Sequence, residues 1–351
     1  MSCWPEYDDE MGETIGTGRW NCPRPPAGPG RLVSCEVSSR EALGGSPVSV
    51  VVLTYMEEKN LETCLRSIAE WSSDIHVVDS GSTDGTLEIA HKMAHQVHHH
   101  DFIDHTSQID FVLRELPLKH EWLLILDADH EVSIELKESI DSMLNAGAPG
   151  VDLFYCKQTY IFRGQTIKSL KKWGRLLRHR NVEIEGGELV DFRYRVKGAT
   201  GYLRGHLIEN NQKEHDLDFW IDKHQNFATR MAIEEALRRA GKIEWSFNPR
   251  LSGNPDERTV WLKQQWYALP VFVRPFLYFG YRYFWKLGFL DGPTGLLFHF
   301  LQAFWFRLLI DVKLLDLERQ IQSGQVSVDD LMRAFSHSFG VRQEASSDPV
   351  P

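Results

Sequence analysis

A short apolar run that ends in two carboxylates, residues 122–129, is the feature that most constrains the fold of this chain. Residues 122–126 are apolar without alternation, which is typical of a strand buried on both faces of a sheet. Asp127 and Asp129 follow, and side chains at i and i+2 of an extended chain point to the same side. Both carboxylates can therefore reach one point beyond the strand, where two oxygen ligands suit Mg²⁺ or Mn²⁺. An Asp-rich turn without a ligand is the alternative.

Two further strands are predicted upstream, and each ends in polar residues. Residues 48–55 are a β-branched run, and a second apolar run ends at Asp79. Helices are predicted after these strands, over 57–71 for example, and after the central strand over 133–144. This alternation predicts an open, mainly parallel α/β sheet flanked by helices. Ligands of such sheets bind beyond the carboxyl ends of the strands, so the polar residues should gather at one edge.

Composition limits the class of partner and the compartment. The net charge of -10 argues against nucleic acid as the main partner, because phosphate backbones need a basic surface. The five cysteines are scattered without metal-binding spacing, so we expect a reducing cytosol. The first ten residues are acidic and lack an apolar core, so we expect no secretory signal. The sequence has no uninterrupted apolar run of about 18 residues, so we expect no conventional spanning helix.

Three segments resemble the signatures of the family 2 glycosyltransferases, which have the Rossmann-like GT-A fold. Residues 50–58 are similar to the opening strand of that family, residues 77–86 to its second signature, and residues 126–129 to its Asp-x-Asp motif. Order and spacing match over about residues 47 to 145. The resemblance implies an inverting transferase that uses a nucleotide-diphosphate sugar and a divalent metal, Mg²⁺ or Mn²⁺.

The resemblance also assigns nucleotide-sugar contacts to the predicted sheet edge. Thr54 and Glu57 would contact the nucleoside, and Asp79 would bond the base, which we expect to be uracil. Ser82 would belong to the same nucleotide-sugar site. A plain strand end and a plain turn are the alternatives for Thr54 and Ser82. There is no Gly-rich phosphate loop of the Walker or dinucleotide type, which speaks against an ATPase or a dehydrogenase.

The Asp-x-Asp motif carries the metal assignment. By the resemblance, Asp127 would lie near the ribose and the metal, and Asp129 would ligate the metal that contacts the diphosphate. His130 stands where the family often has Glu. It could replace that ligand, but we expect its side chain to point to solvent.

The main basic cluster of this acidic chain lies just after residue 163. It comprises Lys168, Lys171, Lys172, Arg175, Arg178, His179 and Arg180. A solvated charged face is one interpretation, and a cradle for the diphosphate or an anionic acceptor is the other. The segment resembles the branch of the family close to lipopolysaccharide-core glucosyltransferases, with Trp173 and Arg178 as the counterparts of its Trp and of its Arg-Leu-Phe-Arg run. We predict that these two residues contact the acceptor or the diphosphate.

The catalytic base is predicted from a motif that is altered here. The resembled branch carries Val-His-Glu where this chain has Val190-Asp191-Phe192. Inverting transfer needs a carboxylate to take the proton of the acceptor hydroxyl, so Asp191 is the candidate and Glu188 the second choice. The altered motif keeps open a non-catalytic scaffold that binds nucleotide sugars. A nucleotidyltransferase is less favoured, because it would need a basic Gly-rich loop where Met56-Glu57-Glu58 stands.

The last third of the chain is rich in aromatic residues interleaved with cations. This pattern predicts amphipathic helices over 255–335 that lie in a membrane interface. A buried hairpin or a dimer interface, which would make the protein a homo-oligomer, is the alternative. The predicted organisation is a disordered leader over 1–46, a GT-A domain over 47–240, this helical region, and a disordered tail over 336–351. We therefore expect a cytoplasmic protein, peripheral on the inner face of the membrane, whose acceptor is a lipid-linked or cell-envelope glycan.

Overall fold

The fold was described from a computed structural model, whose described residues are 45–167, 172–185, 193–245 and 249–337. The predicted disordered tail falls outside this range except for its first two residues, as does all but the end of the predicted leader. The two candidate bases, Glu188 and Asp191, also lie outside the described residues.

Strands and helices alternate through the first half of the described chain, and helices follow. The strands are β1 (Ser46–Thr54), β2 (Ser72–Asp79), β3 (Gln96–His99), β4 (Trp122–Asp127), β5 (His130–Val132), β6 (Val151–Phe162), β7 (Gln165–Ile167), β8 (Lys172–Arg178), β9 (Val182–Glu185), β10 (Arg193–Val196) and β11 (Ala199–Glu209). The α-helices are α1 (Leu61–Ile68), α2 (Thr86–Met93), α3 (His105–Glu115), α4 (Ile134–Ala146), α5 (Leu217–Arg239), α6 (Pro255–Ala268), α7 (Arg274–Gly280), α8 (Gly292–His299), α9 (Phe306–Gln322) and α10 (Val328–His337).

Within the described residues, nine strands form one sheet in the order β3-β2-β1-β4-β8-β6-β11-β5, with β7 paired to β6. Strands β3, β2, β1 and β4 run parallel, and β6 runs parallel to β11. Strand β8 is antiparallel to both β4 and β6 and joins the two parallel halves. The predicted mainly parallel α/β sheet flanked by helices is confirmed.

The apolar strands are buried on both faces, as their lack of alternation predicts. Val50, Val52 and Leu124 belong to one hydrophobic core, whereas Val51 and Ile125 belong to the core on the opposite face. A strand enclosed in this way places polar side chains only at its ends. The sheet register aligns those ends, because Leu53 of β1 pairs with Asp127 of β4 and Thr54 pairs with Asp79 of β2.

The first helix is shorter than predicted. It spans Leu61–Ile68 and not 57–71, because Glu57 and Asn60 form a turn before it. The Glu57 carbonyl accepts from the Leu61 amide at 2.9 Å, and the Glu57 carboxylate accepts from the Asn60 side chain at 2.6 Å. By contrast, α4 begins as predicted, with the Ser133 hydroxyl accepting from the Leu136 amide at 3.2 Å.

Helix α5 packs against the C-terminal helices. Phe227 and Ala232 of α5 share a hydrophobic core with Phe306, Ile310 and Leu314, which lie on α9. The predicted domain boundary at residue 240 therefore separates α5 from the helices that it packs against.

A buried ion network joins three of these helices. The Arg274 guanidinium, which is fully buried, donates to both oxygens of Glu235 at 2.9 Å and to Asp311 at 2.7 Å. Asp311 also accepts from the Phe272 amide at 2.7 Å. The network holds α5, α7 and α9 together through charge-assisted hydrogen bonds.

One helical segment of the described chain, Gly288–Gln322, is long and apolar enough to cross a membrane by length and composition alone. It includes α8, α9 and the π-helical turn Phe300–Trp305 between them. The segment has no uninterrupted apolar run, but its most apolar 18-residue window has a mean hydropathy of 1.4, so the expectation of no conventional spanning helix stays a prediction. Of the most apolar 18-residue window of this segment, 44% is buried inside the protein.

Replacing Arg274 with Met should lower the free energy of unfolding by about 3–5 kcal/mol, because the buried Asp311 loses its cation and the buried Glu235 keeps only Arg239, at 2.7 Å. Urea unfolding measures the change. Arg319→Met is the matched control, since Arg319 lies on α9 and forms an exposed pair with Asp316 at 3.5 Å. We expect the control to change stability by no more than about 0.5 kcal/mol. Equal effects of the two substitutions would contradict a stabilising role for the network.

Candidate functional site

The loop after β2 is built around the Asp79 carboxylate. Asp79 accepts from the amides of Gly81 and Ser82 at 2.9 and 2.8 Å and from the Ser82 hydroxyl. The Ser82 hydroxyl in turn accepts from the Met56 amide at 2.7 Å, which ties this loop to the loop after β1. Thr54 lies beside Asp79 in the sheet. The structure thus brings Thr54, Asp79 and Ser82 together at the predicted edge.

Three potential ligands lie together after β4. Ligand atoms of Asp127, Asp129 and His130 are all within 4.8 Å of one another, and all three residues are buried. Both carboxylate oxygens of Asp129 are buried and lack a hydrogen-bond partner among the described residues, although the residue is only 3% exposed. A buried carboxylate without donors is costly unless a cation offsets its charge. The donor set, two carboxylates and one imidazole, fits a divalent ion such as Mn²⁺ or Mg²⁺.

His130 does not point to solvent, so that expectation was wrong. Its side chain is fully buried, and the residue pairs with Glu209 where β5 joins β11 in the sheet. The Nδ1 atom accepts from the Asp127 amide at 3.0 Å. Burial lowers the pKa of His130 to about 4, so the imidazole is neutral near pH 7. A neutral imidazole has one acceptor nitrogen, and here Nδ1 already accepts from the Asp127 amide, so a bond from His130 to a metal ion would require that hydrogen bond to be released.

Arg175 is a site residue that sequence reasoning missed. Its Nη2 atom donates to Asp127 Oδ2 at 3.0 Å, and both side chains are buried. Burial alone would raise the pKa of Asp127, but the Arg175 guanidinium more than offsets it and holds that pKa well below its usual range. In the sequence, Arg175 is one of several cations in the basic cluster, and only the pairing of β8 with β4 shows which cation faces Asp127.

Arg178, predicted to contact the acceptor or the diphosphate, lies at the wrong end of the sheet. It pairs with Trp122, the first residue of β4, and donates to Glu121 at 2.7 Å. Strand β8 is antiparallel to β4, so its later residues run away from the edge that carries Asp127. Trp173, near the start of β8, pairs with Cys156 and lies toward the correct edge.

Two half-buried lysines approach the edge from the segment after β11. Lys213 Nζ lies 2.9 Å from Glu57, and Lys223 of α5 forms an ion pair with Glu214. Burial has the largest effect on the pKa of Glu57 and raises it to about 7. The positive charge of Lys213 opposes this rise only in part. For Glu214, burial acts in the same direction but Lys223 prevails and lowers the pKa to about 2.

Glu209, the last residue of β11, is a further buried carboxylate near the site. It pairs with His130 across the β5–β11 ladder and accepts from the Gln158 side chain. Burial, with a contribution from the charge of Asp129, raises the pKa of Glu209 to about 7. No sequence motif marked this residue, since its place depends on the pairing of β11 with β5.

Comparison with known proteins shows which sequences and structures the chain around the described site is similar to. Residues 49–209 match the family model described as Glycosyl transferase family 2. An uncharacterized glycosyltransferase of Rickettsia bellii is 32% identical over 94 residues, which are 27% of this chain and 31% of that protein. A second, from Rickettsia prowazekii, is 30% identical over 94 residues and is covered to 32%. The chain thus spans about a third of the length of these curated relatives.

Solved structures give weaker likenesses. Residues 1–349 of S. aureus TarS in complex with UDP-GlcNAc align with a TM-score of 0.38 and 15% identity, over 80% of this chain and 93% of that one. Glucosyl-3-phosphoglycerate synthase from Mycobacterium tuberculosis, in complex with Mn²⁺, UDP and glucosyl-3-phosphoglycerate, aligns with a TM-score of 0.27 and 21% identity. That alignment covers 32% of this chain and 44% of the synthase.

Glu57→Gln should become more stable relative to the wild type as the pH rises from about 5 to about 8. The folded protein binds the Glu57 proton more tightly than the unfolded chain, since the pKa is raised from 4.5 to about 7. Its contribution to stability is therefore present below pH 4.5 and lost as the pH rises through 7. The difference between wild type and variant should change by roughly 2 kcal/mol over this range, measured by urea unfolding. A similar change in Glu58→Gln, an exposed neighbour, would contradict the assignment to Glu57.

Proposed function

We propose, from the match of residues 49–209 to the model of glycosyl transferase family 2, that the protein transfers a sugar from a nucleotide-diphosphate sugar to an acceptor hydroxyl. The donor we propose is a UDP-sugar, and the transfer inverts the configuration at the sugar carbon. The observation that carries the proposal is the buried, unpartnered carboxylate of Asp129, next to Asp127 and His130 at the carboxyl edge of the sheet.

A divalent cation, Mg²⁺ or Mn²⁺, would be held by Asp127 and Asp129, with His130 beside them. When bound, such a cation offsets the negative charge that develops on the leaving diphosphate. The chain itself keeps these groups in place, because Asp127 is fixed by Arg175 and His130 by the Asp127 amide. Ligands held in this way need no rearrangement as charge develops, which is the basis of electrostatic catalysis.

The nucleoside would bind between the loops after β1 and β2. We propose that Thr54, Glu57 and Asp79 contact it, with Ser82 in the same site. Support comes from the hydrogen bond between Ser82 and Met56, which fixes the two loops to each other. Lys213 adds a positive charge next to Glu57 at this edge.

Asp191 is the base that we propose for the acceptor hydroxyl, with Glu188 as the alternative. In-line attack from the side opposite the leaving group requires that the carboxylate take the hydroxyl proton as the new bond forms. Trp173, at the start of β8, is the residue that we propose for contact with the acceptor sugar. Support for Trp173 is its position toward the edge that carries Asp127.

The exposed apolar side chains of the C-terminal helices support a lipid-linked or cell-envelope glycan acceptor. They include Phe276, Leu277, Phe284, Trp285 and Leu290, which we call the aromatic face. Trp285 is 79% exposed, and the cations Arg282 and Lys286 flank it in sequence. An exposed apolar patch with adjacent cations suits the interface of an anionic membrane. We therefore propose that the protein lies on the cytoplasmic face of the cell membrane.

The aromatic face lies on segments that precede α8 in the chain, and α8 contacts the candidate site's edge of the sheet. Strand β6 runs in the same direction as β4, so its last residues lie toward the edge that carries Asp127. There Tyr160 and Phe162 pack against Phe298 of α8, and Gln165 donates to the Asp291 carbonyl at 2.6 Å. An acceptor anchored in lipid would thus be presented near the donor.

Asp129→Asn and Asp191→Asn should separate binding from turnover. We expect Mn²⁺ with UDP to stabilise the wild type against heat and Asp129→Asn to lose that effect, because it lacks the unpartnered carboxylate. Asp191→Asn should keep the stabilisation but lose about 10²–10⁴-fold in the rate of UDP release from UDP-sugars. Asp101→Asn is the control, since the Asp101 side chain is 80% exposed.

The other outcomes identify the competing functions. Binding of UDP-sugar without turnover, insensitive to Asp191→Asn, would support a scaffold. Release of pyrophosphate in place of UDP would support a nucleotidyltransferase.

Trp285→Glu should abolish flotation of the protein with liposomes that contain anionic lipid, because it places a charge in the aromatic face. Ile134→Glu is the matched control, since Ile134 is an exposed apolar residue on the sheet part of the protein, 71% exposed. We expect Ile134→Glu to float as the wild type does. Failure of the wild type to float, together with a dimer that Trp285→Glu dissociates in light scattering, would show that the aromatic face is a subunit interface.

A further inference from the structure

Arg175 reaches the site through an irregularity in the sheet. On β6, the neighbouring residues Phe154 and Tyr155 pair with Leu176 and Gly174 of β8, so Arg175 is left without a partner on β6. An extra residue of this kind is a β-bulge, which redirects a side chain and is common beside active sites. A regular strand at this place would alternate its side chains between the two apolar cores. Because of the bulge, the Arg175 side chain lies at the edge of the sheet and not in an apolar core.

The contact between Arg175 and Asp127 involves only one end of the guanidinium. Nη2 donates to Asp127 Oδ2 at 3.0 Å, whereas Nη1 is buried and has no hydrogen-bond partner among the described residues. Leaving a charged donor unsatisfied in a buried place costs stability, and a bound anionic oxygen would remove that cost. The Trp173 ring, 5.8 Å from the guanidinium carbon, covers part of the group.

The charges at this edge define what can bind. Asp127 and Asp129 carry two negative charges and Arg175 one positive, so the group carries one net negative charge. The neighbouring ions Glu57 and Glu214 are paired with Lys213 and Lys223 inside the chain. Glu209 accepts from the Gln158 side chain, and burial raises its pKa to about 7. A divalent cation alone would leave one net positive charge, which an anionic diphosphate would then offset.

We propose that Arg175 is a positioning residue that makes cation binding depend on the nucleotide. Its charge at Asp127 weakens the binding of a divalent cation alone, and its second guanidinium nitrogen favours an anionic oxygen of the donor's diphosphate. Cation and nucleotide diphosphate therefore bind as a pair. This inference rests on the proposed function, since it concerns the same site.

The experiment compares Arg175→Gln with wild type in two binding measurements, Mn²⁺ alone and UDP in the presence of Mn²⁺, both by calorimetry. Gln keeps an N–H donor for Asp127 but removes the charge. We expect Mn²⁺ alone to bind about tenfold more tightly, because a nearby positive charge is gone. We expect UDP to bind about tenfold more weakly, because a charge-assisted hydrogen bond is lost. If Arg175 only stabilised the fold, Arg175→Gln would weaken the binding of both Mn²⁺ and UDP.

Two further variants complete the test. Arg178→Gln removes an arginine from the other end of the same strand, and it should leave both affinities within about twofold of wild type. Arg175→Lys keeps the charge, so Mn²⁺ alone should bind as in wild type even if Arg175→Gln fails to fold, while UDP binds more weakly.

Some results would overturn the inference. They are a loss of affinity for both ligands in Arg175→Gln, unchanged affinities in that variant, or weaker Mn²⁺ binding in Arg175→Lys. Failure of the proposed donor site is distinguishable, since the wild-type protein would then bind neither Mn²⁺ nor UDP, and failure of the proposed transfer would appear as binding of both without release of UDP from UDP-sugars.

Discussion

The burial of the parallel strands on both faces is the constraint on which the rest of this structure depends. Strands such as β1 and β4 contribute apolar side chains to two separate cores, so polar chemistry is restricted to their ends. The parallel register then places Asp79 and Asp127 next to the last two residues of β1. The candidate site follows from this arrangement, because hydrophobic burial and strand direction together bring acidic groups from distant parts of the chain to one edge.

The buried carboxylates at that edge differ in how their charge is compensated. Glu57 has Lys213, Glu214 has Lys223, and Asp127 has Arg175 as partner. Asp129 has no hydrogen-bond donor among the described residues, although it is equally buried. Glu57, Glu214 and Asp127 have a cation from the chain and Glu209 accepts from the Gln158 side chain, so the contrast singles out Asp129 as the group that an external cation would satisfy.

Local patterns predicted the first half of the fold and failed where position depends on distant pairing. Apolar runs identified β1 and β4, and the Ser133 cap identified the start of α4. Arg175 and Arg178 looked equivalent in the sequence, and only the antiparallel pairing of β8 and its bulge separate them. The end of the sheet domain was equally hidden, since α5 has no local feature that shows its packing on α9. Glu188 and Asp191 lie outside the described residues, so their roles as bases stay predictions.

The Arg274 network determines where the most apolar part of the chain can lie. A segment with the hydropathy of Gly288–Gln322 would ordinarily be assigned to the bilayer interior. Asp311 lies within it and is bonded to Arg274, which is also bonded to Glu235 on α5. Moving the segment into the hydrocarbon of a bilayer would break these ion pairs. The charged groups of the pairs would then lie in a medium that does not solvate them. The bonds of Arg274 to Asp311 and Glu235 thus hold this segment against α5.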